Sequence, residues 1–258
     1  LAMGVANNVW PQWLENSWGM WLLTFAPLYL IAVPVGLLLL RKVPVKPLEK
    51  HDLKPVRYLV SAIICIFMMY AGNILGTIIT ALLQLLPGIS AGNPILSYAT
   101  DNALLPKILF MVILAPVIEE YIFRKQLIDR MHVYGEKLAV ITSALMFGLF
   151  HGNLSQLFYA FALGLVFGYV YLKTGKLRYS ISLHMLINFI GSVAGPFFLE
   201  KIAVLGTMET LDMVALESIM PWLIGFGAYV LVLIGLAITG LVLLCINKRK
   251  VSFAPAEL

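Results

Sequence analysis

Long apolar stretches separated by short charged segments decide what this chain can fold into. Of its 258 residues, 61% are hydrophobic and 12% are charged, and the mean hydropathy is +0.93. A soluble domain contains roughly 45–50% apolar residues, so this composition is that of a membrane protein. Because backbone polar groups in lipid must bond within their own segment, apolar stretches of about 20 residues cross the bilayer as helices. We predict an all-α, polytopic transmembrane helical bundle of about seven to eight spans that encloses a polar cavity.

The few charged residues are concentrated in loops, and their distribution predicts the topology. The predicted spans lie at about 18–40, 58–86, 104 onward, 138–150, 154–172, 179–199 and 221–246. Lys and Arg dominate the loops after the first, third, fifth and last spans, whereas residues 87–103 contain neither. Since cytoplasmic loops carry an excess of Lys and Arg, we predict an external N-terminus and a cytoplasmic C-terminus. These loops also account for the net charge of +5, so no nucleic-acid partner is expected.

Two adjacent acids, Glu119 and Glu120, lie inside the third apolar stretch. An acidic side chain at the centre of a membrane helix costs roughly 2.5–3.5 kcal/mol, so such a pair requires either a partner or a function. Arg124 follows Glu120 by one helical turn, which places both side chains on one face and allows an ion pair. Glu119 points about 100° away from Glu120 and has no local partner. The alternative is a helix end at the water interface with two solvated acids.

Further polar residues recur at helical spacing in the next apolar stretches. Phe147 and His151 are one helical turn apart, as are His184 and Asn188, so each pair shares a helical face. The ring of Phe147 is expected to pack beneath His151 and restrict its rotamer. If spans three and four form an antiparallel pair, Glu119 and His151 lie at nearly the same depth. A carboxylate and an imidazole at one depth can hold a water molecule between them and exchange protons with it.

These polar residues also have other interpretations. A lone histidine or asparagine in a membrane helix more often bonds a neighbouring helix than catalyses a reaction, and buried ionisable groups also occur in transporters. The sequence lacks the paired, interrupted spans that transporter repeats use. Glu119, His151 and His184 form a set of two histidines and one carboxylate that could bind zinc, although no H-E-x-x-H motif holds them. His132 lies in a basic segment and is expected at the surface.

Three signatures follow one another along the chain: Glu119-Glu120-x-x-x-Arg124, Phe147-x-x-x-His151 and His184-x-x-x-Asn188. With this set in this order, the sequence resembles the CAAX protease and bacteriocin-processing family of intramembrane endopeptidases, which includes the type II CAAX prenyl endopeptidases. The resemblance implies a helical bundle whose cavity opens to the cytoplasmic side, and hydrolysis of a peptide bond in a membrane-associated peptide or protein. We therefore expect residues 1–258 to form a single membrane-embedded protease domain, with its motif core at 104–199, in a prokaryotic plasma membrane.

The resemblance also implies roles for individual residues. Glu119 and His151 would activate a water molecule, with Glu119 as the general base. His184 and Asn188 would donate hydrogen bonds to the oxyanion of the tetrahedral intermediate.

The remaining members of the signatures would support this set. Glu120 and Arg124 would form an ion pair that orients Glu119, and Phe147 would pack against His151. No cofactor is expected, with zinc as the alternative, and the expected partners are membrane lipid and a peptide or protein substrate that enters from the membrane or the cytoplasmic side. A second alternative is a non-catalytic relative that acts in bacteriocin self-immunity or as a scaffold.

Overall fold

A computed structural model describes residues 16–86, 103–203 and 213–256, and these ranges contain helices and no strands. The N-terminus and most of the 87–103 loop, both predicted to be external, lie outside the described residues. Three helices are each continuous: α2 (Pro55–Gln84), α4 (Glu136–Phe150) and α5 (Leu154–Thr174). The last helix of the described chain, α7, is Met213–Asn247.

The other three helices contain wider π-helical turns. The segments of α1 are Ser17–Pro27, the π turn Leu28–Ala32, and Val33–Leu40. Those of α3 are Leu104–Lys107, the π turn Ile108–Leu114, Ala115–Glu120, the π turn Tyr121–Gln126, and Leu127–Met131. Those of α6 are Leu177–Phe189, the π turn Ile190–Ala194, and Gly195–Ala203.

Five helices in the described chain are long and apolar enough to cross a membrane. They are Trp18–Leu40, Pro55–Gln84, Leu154–Thr174, Leu177–Ala203 and Leu216–Lys250. Of the other two helices, α3 contains the acid pair, and α4 has 15 residues, so its length of about 22 Å is less than the roughly 30 Å of a bilayer core. The all-α membrane bundle is confirmed, and the total of seven to eight spans stays a prediction.

The bundle is assembled around α5, which contacts α2 on one side and α4 on the other. Glycines at these contacts bring the helix backbones together. A Cβ atom on Gly164 of α5 would lie 2.8 Å from the Cα of Ala144, and one on Gly76 of α2 would lie 2.7 Å from the carbonyl oxygen of Ser155. Distances this short leave no room for a methyl group, so the close approach of the helices depends on these glycines.

Replacing Gly164 with alanine tests this packing. We expect Gly164→Ala to lower the free energy of unfolding by about 1–3 kcal/mol, because the backbone of α4 must move away to accommodate the added methyl group. Gly36→Ala is the matched control, since a Cβ at that helical position meets no atom within 4 Å. The measurement is thermal and chemical unfolding of the purified protein in detergent. Equal stability of the two variants would contradict the close α4–α5 contact.

The basic loops meet at one end of the bundle, as their distribution in the sequence predicts. The loop after α1 reaches the end of α3, where the Lys46 amide donates to the Asp129 carbonyl oxygen at 2.9 Å. The same loop reaches the end of α5, where the His51 amide donates to the carbonyl oxygen of Thr174 at 2.8 Å. We call this end of the bundle the basic end.

An exposed acid also holds the loop after α1 to the basic end. Asp52 accepts hydrogen bonds from Lys176 Nζ at 2.7 Å and from the Tyr179 hydroxyl at 2.9 Å. The hydrogen bond from Lys176 lowers the pKa of Asp52, and the bond from Tyr179 acts in the same direction. Asp52 is therefore ionised at neutral pH and available to pair with these partners.

Beneath that loop lies a buried polar cluster that corrects one prediction. His132, expected at the surface, is buried, and its Nε2 lies 2.7 Å from the Lys46 carbonyl oxygen. The buried carboxylate of Asp129 accepts hydrogen bonds from the Tyr171 hydroxyl at 2.7 Å and from Lys125 Nζ at 2.6 Å. The prediction was wrong because the loop after α1 folds back over the end of α3, a contact between residues distant in sequence.

Candidate active site

The acid pair lies between the two π turns of α3. A π turn widens a helix by one residue, and such turns occur frequently at functional sites. In the first of them the Ala115 amide donates to the Phe110 carbonyl oxygen, five residues earlier. Pro116 has no N–H group to continue this pattern, so the Met111 carbonyl oxygen lacks its π-helical donor. The side chain of Asn188 on α6 supplies one, with Nδ2 at 2.8 Å from that oxygen.

Glu120 and Arg124 form the ion pair that their spacing predicts. Arg124 Nε lies 3.0 Å from Glu120 Oε2, and Nη2 lies 3.3 Å from Oε1, so the guanidinium donates to both carboxylate oxygens. Neither side chain is exposed to solvent. Desolvating two charges is expensive, and the paired geometry offsets much of that cost.

Side chains of α4 complete the environment of the Arg124 guanidinium. Nη1 donates to Ser143 Oγ at 2.7 Å, and the Ser143 hydroxyl in turn donates to the carbonyl oxygen of Phe123, also at 2.7 Å. The ring of Phe147 lies 4.8 Å from the guanidinium carbon. The sequence reasoning did not identify Ser143, although it precedes Phe147 by one helical turn and so shares its face.

His184 lies between the two acids. Its Nδ1 is 3.1 Å from Glu120 Oε1, and its Nε2 is 3.7 Å from Glu119 Oε2. Since Glu120 is paired with a guanidinium and acts only as an acceptor, Nδ1 carries the hydrogen and Nε2 faces Glu119. The imidazole stacks on Phe167 and meets the edge of Phe147, with ring centroids 5.2 and 5.4 Å away. Phe167 lies outside the three signatures, and nothing in its spacing singled it out.

Glu119 and Glu120 differ in the charged side chains that they contact. The side chain of Glu119 is 11% exposed, and its only charged contact in the described chain is with His184. It lies close enough to His151 for the two groups to interact electrostatically. Among the described residues, therefore, Glu120 is hydrogen-bonded to a guanidinium, whereas Glu119 has its direct contact with a histidine.

His151 is held at the C-terminal end of α4. Its Nδ1 lies 2.9 Å from the Phe147 carbonyl oxygen, and its ring meets the edge of the Phe147 ring at a centroid distance of 5.1 Å. A carbonyl oxygen can only accept, so Nδ1 donates and Nε2 is left as an acceptor. The predicted packing of Phe147 against His151 is confirmed. The adjacent Asn153 caps α5, because its Oδ1 accepts from the amide of Gln156 at 3.0 Å.

Most of the predicted site residues lie together, and Asn188 has a partner that was not predicted. His184 contacts both Glu119 and Glu120, and the ring of Phe147 packs against His184 and His151. Asn188 shares a helical face with His184 as predicted, but one of its amide hydrogens is used by the carbonyl oxygen of Met111. The described residues contain no group of three His, Cys, Asp or Glu side chains that could hold a metal ion.

A cavity is also found at the basic end, away from the acids. Its volume is about 390 Å³. Its lining residues are Lys50, Lys125, Gly175, Lys176, Leu177 and Arg178. None of the predicted catalytic residues lines this cavity.

Two comparisons with known proteins give matches to this chain, and the first covers the part that contains this cluster. A sequence model described as "Type II CAAX prenyl endopeptidase Rce1-like" matches residues 101–190. The chain is also 32% identical over 88 residues to the membrane-embedded CAAX protease MroQ of Staphylococcus aureus (strain USA300). Over residues 101–190 the chain is thus similar to type II CAAX prenyl endopeptidases of the Rce1-like family.

Both CAAX protease matches cover only part of this chain. The alignment with MroQ covers 31% of this chain and 36% of that relative, so the chain spans about a third of the length of the curated relative that it matches. All three signatures lie within residues 101–190, whereas α1, α2 and α7 lie outside them. No solved structure gives a significant match to the chain.

Proposed function

We propose that this chain is an intramembrane endopeptidase, which hydrolyses a peptide bond of a membrane-associated peptide or protein with an activated water molecule. The observation that carries the proposal is the difference between the two acids. Glu120 is bonded to Arg124 at 3.0 Å, whereas Glu119 faces His184 Nε2 at 3.7 Å and forms no ion pair with a Lys or Arg among the described residues. Glu119 is thus the carboxylate that is free to accept a proton. The resemblance to CAAX proteases supports the same assignment.

In the proposed reaction Glu119 is the general base and His151 orients the water. Glu119 takes one proton from the water as the water oxygen bonds to the carbonyl carbon of the scissile peptide bond. The carbon–nitrogen bond then breaks, and the proton held by Glu119 passes to the leaving nitrogen. The products are a carboxylic acid and an amine. General base catalysis of this kind contributes roughly 10²–10⁴-fold in rate.

The oxyanion of the tetrahedral intermediate requires hydrogen-bond donors, and α6 offers two. His184 would donate from Nε2 in its doubly protonated form, because Nδ1 already donates to Glu120. Asn188 has a second amide hydrogen in addition to the one bonded to Met111. The ion pair of Glu120 and Arg124 holds His184 in place through Nδ1, which makes that pair a positioning element.

The orientation proposed for this enzyme in the membrane follows from the distribution of its Lys and Arg residues. The basic end and the C-terminus face the cytoplasm of a prokaryotic cell, in keeping with the positive-inside rule. The substrate enters from the bilayer or from the cytoplasmic side, and neither a cofactor nor a nucleic acid takes part.

Comparing the peptides in the membranes of two bacterial strains tests the proposal. One strain expresses the wild-type protein and the other expresses the Glu119→Ala variant at the same level. We expect mass spectrometry to find a set of peptide termini in the wild-type membranes that is absent with the variant. Identical peptide profiles, with both proteins folded, would favour the non-catalytic alternative of an immunity or scaffold protein.

A further inference from the structure

The first helix brings a tyrosine hydroxyl towards the candidate site from outside the matched segment. Tyr29 lies in the π turn of α1 that begins directly after Pro27. Its neighbours Leu30 and Ile31 are 74% and 63% exposed, as suits side chains that face lipid, whereas Tyr29 itself is partly buried. The π turn therefore directs Tyr29 towards the bundle and its neighbours away from it.

Aromatic contacts hold the part of α1 that contains Tyr29 against α3. Its ring lies 5.5 Å from the ring of Phe25, which in turn lies 5.4 Å from the ring of Phe110 on α3. At its other end, the hydroxyl is close enough to Glu119 for the two groups to interact electrostatically. Tyr29 thus approaches the acid of the candidate site from α1, a helix distinct from α4 and α6, which supply the histidines.

The hydroxyl oxygen of Tyr29 is buried and has no hydrogen-bond partner among the described residues. Other tyrosines in the bundle do have one: the hydroxyl of Tyr58 bonds Ser182 at 2.9 Å, and that of Tyr229 bonds the Ile190 carbonyl oxygen at 3.1 Å. A buried hydroxyl without a partner costs free energy, and a catalytic role is one of the physical reasons for which native proteins keep such a group. Here the unpaired donor lies within electrostatic range of the acid proposed to activate water.

The proposed reaction also requires hydrogen-bond donors for the oxyanion, and this hydroxyl can supply one. One amide hydrogen of Asn188 is used by the Met111 carbonyl oxygen, and Nδ1 of His184 is used by Glu120. The developing negative charge on the substrate's carbonyl oxygen is stabilised by preorganised donors. A neutral phenol is well suited to this role, since it donates a hydrogen bond without placing a second charge next to Glu119.

From this geometry we infer that the Tyr29 hydroxyl is a further catalytic group, which donates a hydrogen bond to the carbonyl oxygen of the scissile peptide bond as that oxygen becomes an oxyanion. The inference rests on the proposed endopeptidase function. It assigns part of the active site to α1, a helix outside the segment matched by the CAAX protease family. A peptide carbonyl group, held between Tyr29 and Glu119, is the ligand that this arrangement fits.

The Tyr29→Phe variant separates a catalytic role from a structural one. It removes only the hydroxyl oxygen and breaks no hydrogen bond between described residues, so we expect a melting temperature equal to or above that of the wild type. Removing one oxyanion donor typically lowers kcat by about 10²–10³-fold, and we expect a loss of about 10²-fold with KM nearly unchanged. The substrate for this assay is a peptide whose cleavage in cells depends on Glu119.

Tyr58→Phe is the matched control, because it removes the same atom but breaks the hydrogen bond to Ser182. We expect this control to lower the melting temperature and to keep wild-type kcat. Wild-type kcat in Tyr29→Phe, with Glu119→Ala inactive, would overturn the role of Tyr29 and leave the proposed function standing. A lower melting temperature in Tyr29→Phe would also count against the inference, since it would show a structural partner for the hydroxyl. Equal cleavage by wild type and Glu119→Ala would overturn the proposed function and this inference together.

Discussion

Purified Glu119→Gln protein is expected to bind its peptide substrate and to cleave it about 10²–10⁴-fold more slowly than the wild type. Glutamine has the shape of glutamate, so the contacts around position 119 are retained. Its amide cannot take a proton from water, and the general base is lost. The measurement is kcat and KM with the purified protein in detergent or liposomes, and the loss should fall on kcat.

A second glutamate gives the control for this experiment. Glu200 lies near the end of α6, is about half exposed and, among the described residues, pairs with Lys201 alone, at 3.7 Å. Glu200→Gln makes the same chemical change and should leave both kcat and KM as in the wild type. If Glu119→Gln also retains full kcat, Glu119 is not the general base and the proposed mechanism is wrong. If Glu119→Gln shows no cleavage but preserves the biological function in cells, that function is non-catalytic and the endopeptidase proposal is wrong.

Removing the charge of Arg124 should have the largest effect on stability. Arg124→Met leaves the fully buried Glu120 carboxylate without its guanidinium, and breaking a buried pair in this way costs about 3–5 kcal/mol. Arg124→Lys should recover only part of that loss, because one ammonium group cannot reproduce bonds to both Glu120 oxygens and to Ser143. Chemical unfolding in detergent measures the free energies.

The double variant Glu120→Gln/Arg124→Met identifies the cause of this loss. With the carboxylate replaced by a neutral amide, the penalty of an unpaired buried charge disappears, so the double variant should be more stable than Arg124→Met alone. The exposed pair Glu200–Lys201 is the comparison, and Lys201→Met should change stability by less than about 1 kcal/mol. A double variant as unstable as the single one would show that Arg124 acts through packing and not through its charge.

Much of the site could be predicted because its groups lie one helical turn apart. The pairing of Glu120 with Arg124 and the packing of Phe147 against His151 are contacts between residues i and i+4, which helix geometry alone brings together. Contacts between helices were harder to predict. The bond from Asn188 to the carbonyl oxygen of Met111 depends on a π turn and a proline in α3, and the burial of His132 depends on a loop that folds back over that helix.

The sequence by itself determined that the chain is an all-α membrane protein, because apolar stretches of this length leave the backbone no other way to satisfy its hydrogen bonds in lipid. It also determined which acids, histidines and aromatic residues share helical faces, since a fixed number of residues per turn sets those faces. Only the tertiary structure decided that Glu120 is bonded to both Arg124 and His184 while Glu119 is left facing imidazoles. It also brought Tyr29 from a distant helix towards Glu119. These arrangements depend on how helices far apart in sequence pack together, and local periodicity contains no information about that packing.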